Sequence, residues 1–440
     1  MAQHAAPGMS AGGQEKTQYV KVAFASLIGT SIEWYDFFLY GTAAALVFNR
    51  LFFPKFDPLV GTLLAFTTYT IGFVARPIAG VIFGHFGDRI GRKQMLYITL
   101  LFMGVSSTLI GLLPTYNQVG IWAPILLTLM RICQGIGLGG EWGGAVLMAV
   151  EHAPAHRRGF FGSFPQTGVM VGGLLSVFAF WMAARLPDAQ FISWGWRLPF
   201  LFSIVLVVIG IWVRMAIAES PAFERIKAQK AEEKMPVMVA LKEHPRNLLV
   251  AMGMRFAENG LYYIITVFSL SYAVTVLKMN RASLLPGLTI SYAIGLASIP
   301  FYGWISDKVG RRAVYMWGAC VCGILSFPFF WMLNKAPGNV MWGWLAIILI
   351  GQLGHAAMYG PQASFFAELF PAKVRYSGAS LGYQFASIFA GGMALPVATA
   401  LVAWADNKTW PVSLYMISFV LITIVAVIFA EETYKKKDVN

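Results

Sequence analysis

The sequence predicts an all-α membrane protein, with twelve transmembrane helices arranged as two pseudo-symmetric bundles of six. Three observations carry that expectation. Hydrophobic residues make up 58% of the chain and charged residues 12%, against about half and about a quarter in a soluble domain. A dozen apolar runs reach about 20 residues, the length that crosses a bilayer as a helix. A charged motif, G-x-x-x-D-[RK]-x-G-R-[RK], occurs twice, as Gly84-His85-Phe86-Gly87-Asp88-Arg89-Ile90-Gly91-Arg92-Lys93 and as Gly303-Trp304-Ile305-Ser306-Asp307-Lys308-Val309-Gly310-Arg311-Arg312. Asp88 and Asp307 are 219 residues apart, half of a 440-residue chain, as an internal duplication requires.

Residues 1–19, small and polar, form an expected disordered tail. Helices are expected near 20–48, 59–84, 94–113, 119–150, 159–184 and 196–216, then near 247–277, 283–304, 313–333, 341–367, 376–404 and 411–430. The first run is too long for the apolar core of a cleavable signal. Between the two sets lies 217–246, a mixed-charge linker with Glu219, Glu224, Arg225, Lys227, Lys230, Glu232, Glu233, Lys234 and Lys242. The expected units are therefore the tail 1–19, a bundle at 20–216, the linker 217–246, a bundle at 247–430 and a short tail at 431–440.

A formal charge of +13 invites a nucleic-acid reading. The placement of the charge argues against it. Of 33 Lys and Arg residues, 22 fall on the side holding both termini, the linker and both motif copies, and 8 fall in the opposite loops. That bias places both termini in the cytoplasm. The remaining three, Arg76, Arg131 and Arg255, lie inside apolar segments. Cys133, Cys320 and Cys322 also lie in apolar segments and suit core packing. Neither a disulfide framework nor metal-ligand spacing is present.

A second pair of stretches supports the duplication. Glu151-x6-Arg158-Gly159 with Gln166 downstream is echoed by Glu368-x6-Arg375 with Gly378 and Gln384. Together with the repeated motif and twelve helices, these resemble the major facilitator superfamily. The finer sequence is similar to its metabolite:proton symporter branch. It matches at Ile32-Glu33-Trp34-Tyr35-Asp36-Phe37, Ala75-Arg76-Pro77, Gln134-Gly135 through Gly139-Gly140-Glu141-Trp142-Gly143-Gly144, Trp194-Gly195-Trp196-Arg197-Leu198-Pro199-Phe200, Glu219-Ser220-Pro221-x-Phe223, and Glu368-Leu369-Phe370-Pro371 with Val374-Arg375-Tyr376-Ser377-Gly378. The resemblance implies the major facilitator fold, a multi-pass protein of the bacterial inner membrane, and import of a small carboxylate with a proton by alternating access. A zwitterionic osmolyte such as proline or betaine is the alternative cargo. The protein is expected to act as a monomer, on a small-molecule substrate, with the lipid bilayer as its surroundings.

Ionisable groups inside a membrane are costly, so each needs a partner or a purpose. Glu33 and Asp36 share a face of the first helix at i, i+3. Asp36 lies roughly 24 Å along its helix and Arg131 roughly 18 Å along the antiparallel fourth, so the two reach similar depths. The resemblance implies a helix 1 acid set against a helix 4 arginine, here Asp36 and Arg131, with Asp36 as the proton-coupling residue and Glu33 in support. A fixed ion pair is the structural alternative. In the seventh helix, Arg255, Glu258, Asn259, Tyr262 and Tyr263 are candidates for the cavity. Arg255 and Glu258 can pair at i, i+3. Alternatively Arg255 or Arg131 binds a substrate carboxylate, to which a guanidinium fork is matched. Gln134, Gln166, Tyr292, His355, Tyr359, Tyr383 and Gln384 are further candidates for substrate contact, with helix-packing hydrogen bonds as the alternative. His355 is a candidate for a proton path. The glycine-rich run of the fourth helix suits close packing, with Glu141 in a structural or gating role.

The charged motifs are expected to form a cytoplasmic gate. Asp88 suits the N-terminal end of a helix from the other half, where free N–H groups favour an anion. The resemblance implies that this is the eleventh helix, starting near Arg375. Arg92 is set against Glu151. Symmetry then sets Asp307 against the start of the fifth helix near Arg158, and Arg311 or Arg312 against Glu368. Gly84, Gly91 and Arg89 complete the motif, Arg89 mainly as a topology signal. No nucleophile–base set, metal cluster or G-x-x-x-x-G-K-[ST] loop is present, which argues against an enzyme or an ATP-driven pump. The short tails and missing filter motif argue against a receptor or channel. With no cofactor expected, the energy source is a proton gradient.

Overall fold

The computed structural model describes residues 11–55, 58–215, 219–228, 235–280 and 283–435. The first bundle is built from α1 (Ala11–Ala43, continued by Ala44–Phe48 and Asn49–Leu51), α2 (Pro58–Arg89), α3 (Arg92–Leu112), α4 (Trp122–His152), α5 (Arg158–Ala183) and α6 (Arg197–Met215). The second is built from α7 (Pro245–Tyr263, continued by Ile264–Phe268 and Ser269–Thr275), α8 (Leu285–Val309), α9 (Arg311–Lys335), α10 (Met341–Leu349, Ile350–His355 and Ala356–Glu368), α11 (Arg375–Ser387, Ile388–Gly392 and Ala394–Trp404) and α12 (Trp410–Phe429). No strand occurs among the described residues.

Ten of these helices are long and apolar enough to cross a membrane. Absent from that set are α1 and α7, the helices bearing Glu33 and Asp36 and bearing Arg255, Glu258 and Asn259. Both also pass through a π-helical turn, at Ala44–Phe48 and Ile264–Phe268. Such turns leave an i→i−4 bond unmade and cluster at functional sites. Trp212 and Ile324 stand 70% and 73% exposed, which suits a lipid-facing surface.

Two boundaries differ from expectation. Residues 11–19, expected within the tail, are helical, because α1 begins at Ala11. The repeated charged motif is less of a loop than its glycines suggest. Asp88 and Arg89 are the last turn of α2, and α3 restarts at Arg92. Gly91 makes the turn at φ 129° and Gly310 repeats it at φ 107°, a region side chains disfavour. The linker forms two short helices, Pro221–Ala228 and Pro236–Glu243. Its Lys230, Glu232, Glu233 and Lys234 lie outside the described residues, as do residues 1–10 of the first tail and 436–440 of the last.

In the first bundle α1 packs on α5, and α2 and α3 pack on α4. A Cβ at Gly135 or Gly139 would lie 2.3 or 2.5 Å from the carbonyls of Gly72 and Arg76, so only glycine lets α4 approach α2 this closely. The bundles meet along two equivalent seams, α2 against α11 and α5 against α8. The functional candidates line these seams and the two bundle interiors.

Candidate functional site

The central ionisable groups of the first bundle are buried but not simply paired. Asp36 Oδ1 accepts a hydrogen bond from Ser203 Oγ at 2.5 Å, while Oδ2 has no partner. Ser107 is within hydrogen-bonding reach of Asp36. Ser107 Oγ accepts from Gln134 Nε2 at 2.7 Å, and Gln134 Oε1 accepts from Arg131 Nη1 at 3.0 Å. A chain from Arg131 through Gln134 thus ends at Ser107, beside Asp36. The direct ion pair considered from the sequence is not formed, because the Arg131 guanidinium turns into an aromatic box. It lies 4.3 Å from the Phe37 and Tyr40 rings and 4.5 Å from Tyr69.

Arg76 shares that box. Its guanidinium lies 4.4 Å from the same Phe37 ring and 4.0 Å from Phe73. Nε and Nη2 of both arginines lack a hydrogen-bond partner. Neither makes an ion pair among the described residues. A desolvated cation–π contact contributes about 2 kcal/mol, whereas taking a charge out of water costs several kcal/mol. The rings only partly offset that cost, so the pair of guanidiniums has a standing demand for an anion. Arg76 carried no assigned role in the sequence reading; its signal was an arginine in a span otherwise free of charge.

Glu33 does not adjoin Asp36 in function of contacts, although it lies one turn away. Its Oε1 pairs with Arg214 Nη2 at 3.1 Å, and Glu141 Oε1 lies 3.7 Å from the same nitrogen. Arg214 sits at the end of α6 and counted with the basic linker in the sequence; it is buried.

The second bundle closes its charges on themselves. Arg255 and Glu258 form an i, i+3 ion pair. Glu258 also meets His355 Nε2 at 3.2 Å and accepts from Gln362 Nε2 at 3.0 Å. Gln362 Oε1 accepts from Arg255 Nη1 at 3.3 Å, and the guanidinium stacks 3.5 Å from the Tyr383 ring. His355 lies against the rings of Tyr262 and Tyr359. The Tyr262 hydroxyl donates to that of Tyr292 at 3.4 Å. Asn259 Oδ1 is buried without a partner.

A small cavity of about 10 Å³ lies between the bundles, lined by Trp34, Val169, Arg255, Glu258, Asn259, Tyr262, Tyr263, His355 and Tyr359. Every lining residue is buried. Tyr263 separates it from the first-bundle arginines: its ring packs on Phe37, Tyr69 and Phe73, and its side chain reaches Arg76. A wider depression of about 410 Å³, between Arg50, Asp188 and Arg197, lies among end loops away from these charges. Gln166 and Gln384 bond across to the other bundle, at α10 and α4, instead of facing the cavity. Gln166 accepts from Trp142 Nε1 at 2.9 Å and donates to the Tyr359 carbonyl at 3.3 Å; Gln384 donates to the Gly139 carbonyl at 3.1 Å. Tyr383 stacks on Trp142 at 3.7 Å.

At the end bearing the repeated motif, two equivalent latches join the bundles. Asp88 Oδ2 accepts from the Ser377 backbone N–H at 3.0 Å and hydroxyl at 2.9 Å, and Oδ1 from the Tyr376 N–H at 3.4 Å. These are the free N–H groups at the start of α11. Asp307 does the same to α5, accepting from Gly159 at 2.8 Å and Phe160 at 2.9 Å. Glu151 receives Arg92 at 3.2 Å and Arg375 at 3.0 Å. Glu368 receives Arg311 at 3.1 Å. Arg312 is not its partner; that guanidinium donates to the Val427 and Ile428 carbonyls. Arg158 is buried within the field of Glu368. Gly84 abuts Ser377, where a Cβ would lie 3.1 Å from its Cα. Arg89 reaches only His85, at the surface.

Each latch has a third part that sequence reasoning missed. Ser220 Oγ donates to Glu151 at 2.5 Å while Glu219 accepts from the Lys93 N–H at 3.1 Å. Thr433 Oγ1 donates to Glu368 at 2.5 Å while Glu432 accepts from the Arg311 and Arg312 N–H groups at 2.9 and 3.1 Å. The signal was there: Glu219-Ser220 and Glu432-Thr433 repeat at an offset of 213.

Comparison with known proteins agrees with this architecture. A family model described as "Sugar (and other) transporter" matches residues 21–247 and again 238–437. The shikimate transporter of Escherichia coli is 41% identical over 94% of this chain and 95% of its own. The inner membrane metabolite transport protein YhjE of the same organism is 41% identical over 94% of each. A proline/betaine transporter of Escherichia coli is 32% identical over 93% of this chain and 83% of its own. Among solved structures, the proton:xylose symporter XylE superposes with a TM-score of 0.77 at 17% identity, covering 95% of this chain and 97% of that one. The chain belongs to the sugar (and other) transporter family, as a multi-pass membrane transporter of the major facilitator fold.

Proposed function

We propose that the protein is a proton-coupled symporter that imports a small carboxylate by alternating access, with the motif-bearing end and both termini cytoplasmic. The observation that carries the carboxylate is the pair of buried guanidiniums, Arg76 and Arg131, both against the Phe37 ring with no acid beside them. Arg255 is less available, since Glu258 already neutralises it. Substrate enters the central cavity, displaces Tyr263 and offers its carboxylate to Arg131 and Arg76. Arg131 then leaves Gln134, and the relay to Asp36 breaks. A carboxylate that loses a cation's influence in a dry site takes up a proton, so substrate and proton favour the same state. The cavity charge is then unchanged, because the proton offsets the substrate's negative charge. The likeness to a shikimate transporter supports an acid as cargo.

A zwitterion is the second reading. The cavity's aromatic walls, Trp34, Tyr262, Tyr263 and Tyr359, suit a quaternary ammonium, and a proline/betaine transporter is among the relatives. Uptake of labelled dicarboxylates, tricarboxylates, shikimate, aromatic acids, proline and betaine into proteoliposomes under an imposed pH gradient separates the two. Carboxylate accumulation that collapses with a protonophore is expected. Accumulation of only proline or betaine, or uptake indifferent to the gradient, overturns the proposal.

A further inference from the structure

Glu33, Glu141 and Arg214 make a charge cluster that the relay at Asp36 does not use. All three are buried, from α1, α4 and α6. One guanidinium nitrogen, Arg214 Nη2, faces both acids, at 3.1 Å from Glu33 and 3.7 Å from Glu141. The two carboxyl groups lie within hydrogen-bonding reach of each other. Thr30 Oγ1 donates to Glu141 Oε1 at 2.8 Å. The second oxygens, Glu33 Oε2 and Glu141 Oε2, are buried and have no donor. The other guanidinium terminus is taken by the Leu96 carbonyl of α3. The remaining groups that face the cluster are Tyr97 from α3 and Tyr376 from α11. No further cation answers the second acid among the described residues.

Two carboxylates against one guanidinium leave one negative charge in a dry interior. Two carboxyl groups in contact cannot both ionise cheaply, and one proton between them makes the cluster neutral. We propose that Glu33 and Glu141, held by Arg214, bind one exchangeable proton at a site separate from Asp36. Its placement ties it to the gate. The Tyr376 hydroxyl donates at 2.5 Å to the carbonyl of Gly140, the residue before Glu141, and the Tyr376 N–H is one of the two backbone groups on Asp88. A Cβ on Gly143 or Gly144 would meet the same tyrosine. When α11 leaves α4 at the motif-bearing end, Tyr376 withdraws from the roof of the cluster and water gains a route to Glu141. The site then exchanges its proton with that side. This role rests on the proposed proton-coupled transport, whereas occupancy of the site by a proton does not.

The test reads the proton directly. Infrared difference spectra of the purified protein in lipid, with glutamate carboxyls isotope-labelled, report the C=O stretch of a protonated glutamic acid. The wild type should show that band, and it should bleach as pH rises. Glu33→Gln and Glu141→Gln should each remove it, because either variant leaves one acid and one guanidinium, a neutral pair that needs no proton and keeps the fold. Asp36→Asn should retain it. Tyr376→Phe should bleach it more readily. A wild type with no such band, a band that survives in both glutamine variants, or a band unmoved across the pH range overturns the proposal. The first result in a protein that still accumulates substrate on a proton gradient leaves the transport reading intact. The expected spectra in a protein that moves no substrate leave the site intact and sink the transport reading.

Discussion

Arg255 and Arg131 are both buried at the centre of the molecule, yet only Arg255 has an acid beside it. The second bundle pairs its cation with Glu258 and surrounds it with Gln362, His355 and the Tyr383 ring, leaving Nε without a partner. The first leaves Arg131 and Arg76 among aromatic rings and holds Asp36 at a distance through Ser107 and Gln134. A paired cation resists change, since breaking a buried pair strands a charge. An unpaired one invites a partner. Under the proposed function, the contrast gives ligand and proton capture to the first bundle and a steadier wall to the second. Asp36→Asn is the sharpest way to break that assignment. It should reduce proton-driven accumulation to background while counterflow exchange persists, because the relay stays bonded but cannot take a proton. Normal accumulation by that variant sinks the role of Asp36.

The second bundle should answer differently, through stability. Glu258→Gln leaves Arg255 buried without its acid, at a cost of about 3 kcal/mol in unfolding free energy. The double change Arg255→Met with Glu258→Met should recover most of that loss. Thermal unfolding in detergent of Arg255→Met, Glu258→Met and the double measures the coupling. If the double is no more stable than the singles, the network is not the unit described here.

Ligand affinity separates the bundles more finely. Arg131→Lys and Arg76→Lys keep the charge and lose the fork. Each should weaken an anionic substrate by about 2 kcal/mol, roughly thirtyfold, the scale of a charged hydrogen bond. Arg255→Lys should change affinity less, since Glu258 already occupies its fork. Equal losses at all three positions would place the substrate between the bundles rather than on the first.

How much of this was legible in the sequence follows from how each feature is encoded. The fold was visible because bilayer crossing demands long apolar runs, and the gate because its charges sit in a repeated motif with fixed spacing. The resemblance placed Asp88, and symmetry then carried its contact to Asp307 and proposed Arg311 or Arg312 against Glu368. The interior relay could not. Ser107 and Ser203 are unremarkable serines in apolar helices, and only the packing of α3 and α6 on α1 brings them to Asp36. Arg214 misled in the opposite direction, since a cation at a helix end beside a basic linker has the pattern of a topology signal. Its burial depends on where α6 meets Glu33 and Glu141. Gln362 was hidden because an amide in an apolar helix gives no hint that it clamps an ion pair on α7.

The two latches offer the smallest and most discriminating effect. Both present an acid to the start of a helix in the other bundle, but their nearest cations differ. Arg311 lies 2.7 Å from Asp307, while Arg92 lies 3.9 Å from Asp88 and is closer to Glu151. Asp307 is therefore largely neutralised within its own bundle, and Asp88 gives more of its charge to α11. Replacing either acid by asparagine removes the charge facing the helix terminus, worth about 1 kcal/mol, and turns one of its two accepting oxygens into a donor. Asp88→Asn should therefore shift the balance of closed and open gate about fivefold, with a matching change in transport rate and substrate affinity nearly unchanged. Asp307→Asn should do the same more weakly. Rates from counterflow and affinities from equilibrium binding, taken on both variants, decide it: a larger effect at Asp307 would show that its pair with Arg311, rather than its charge on α5, holds that latch.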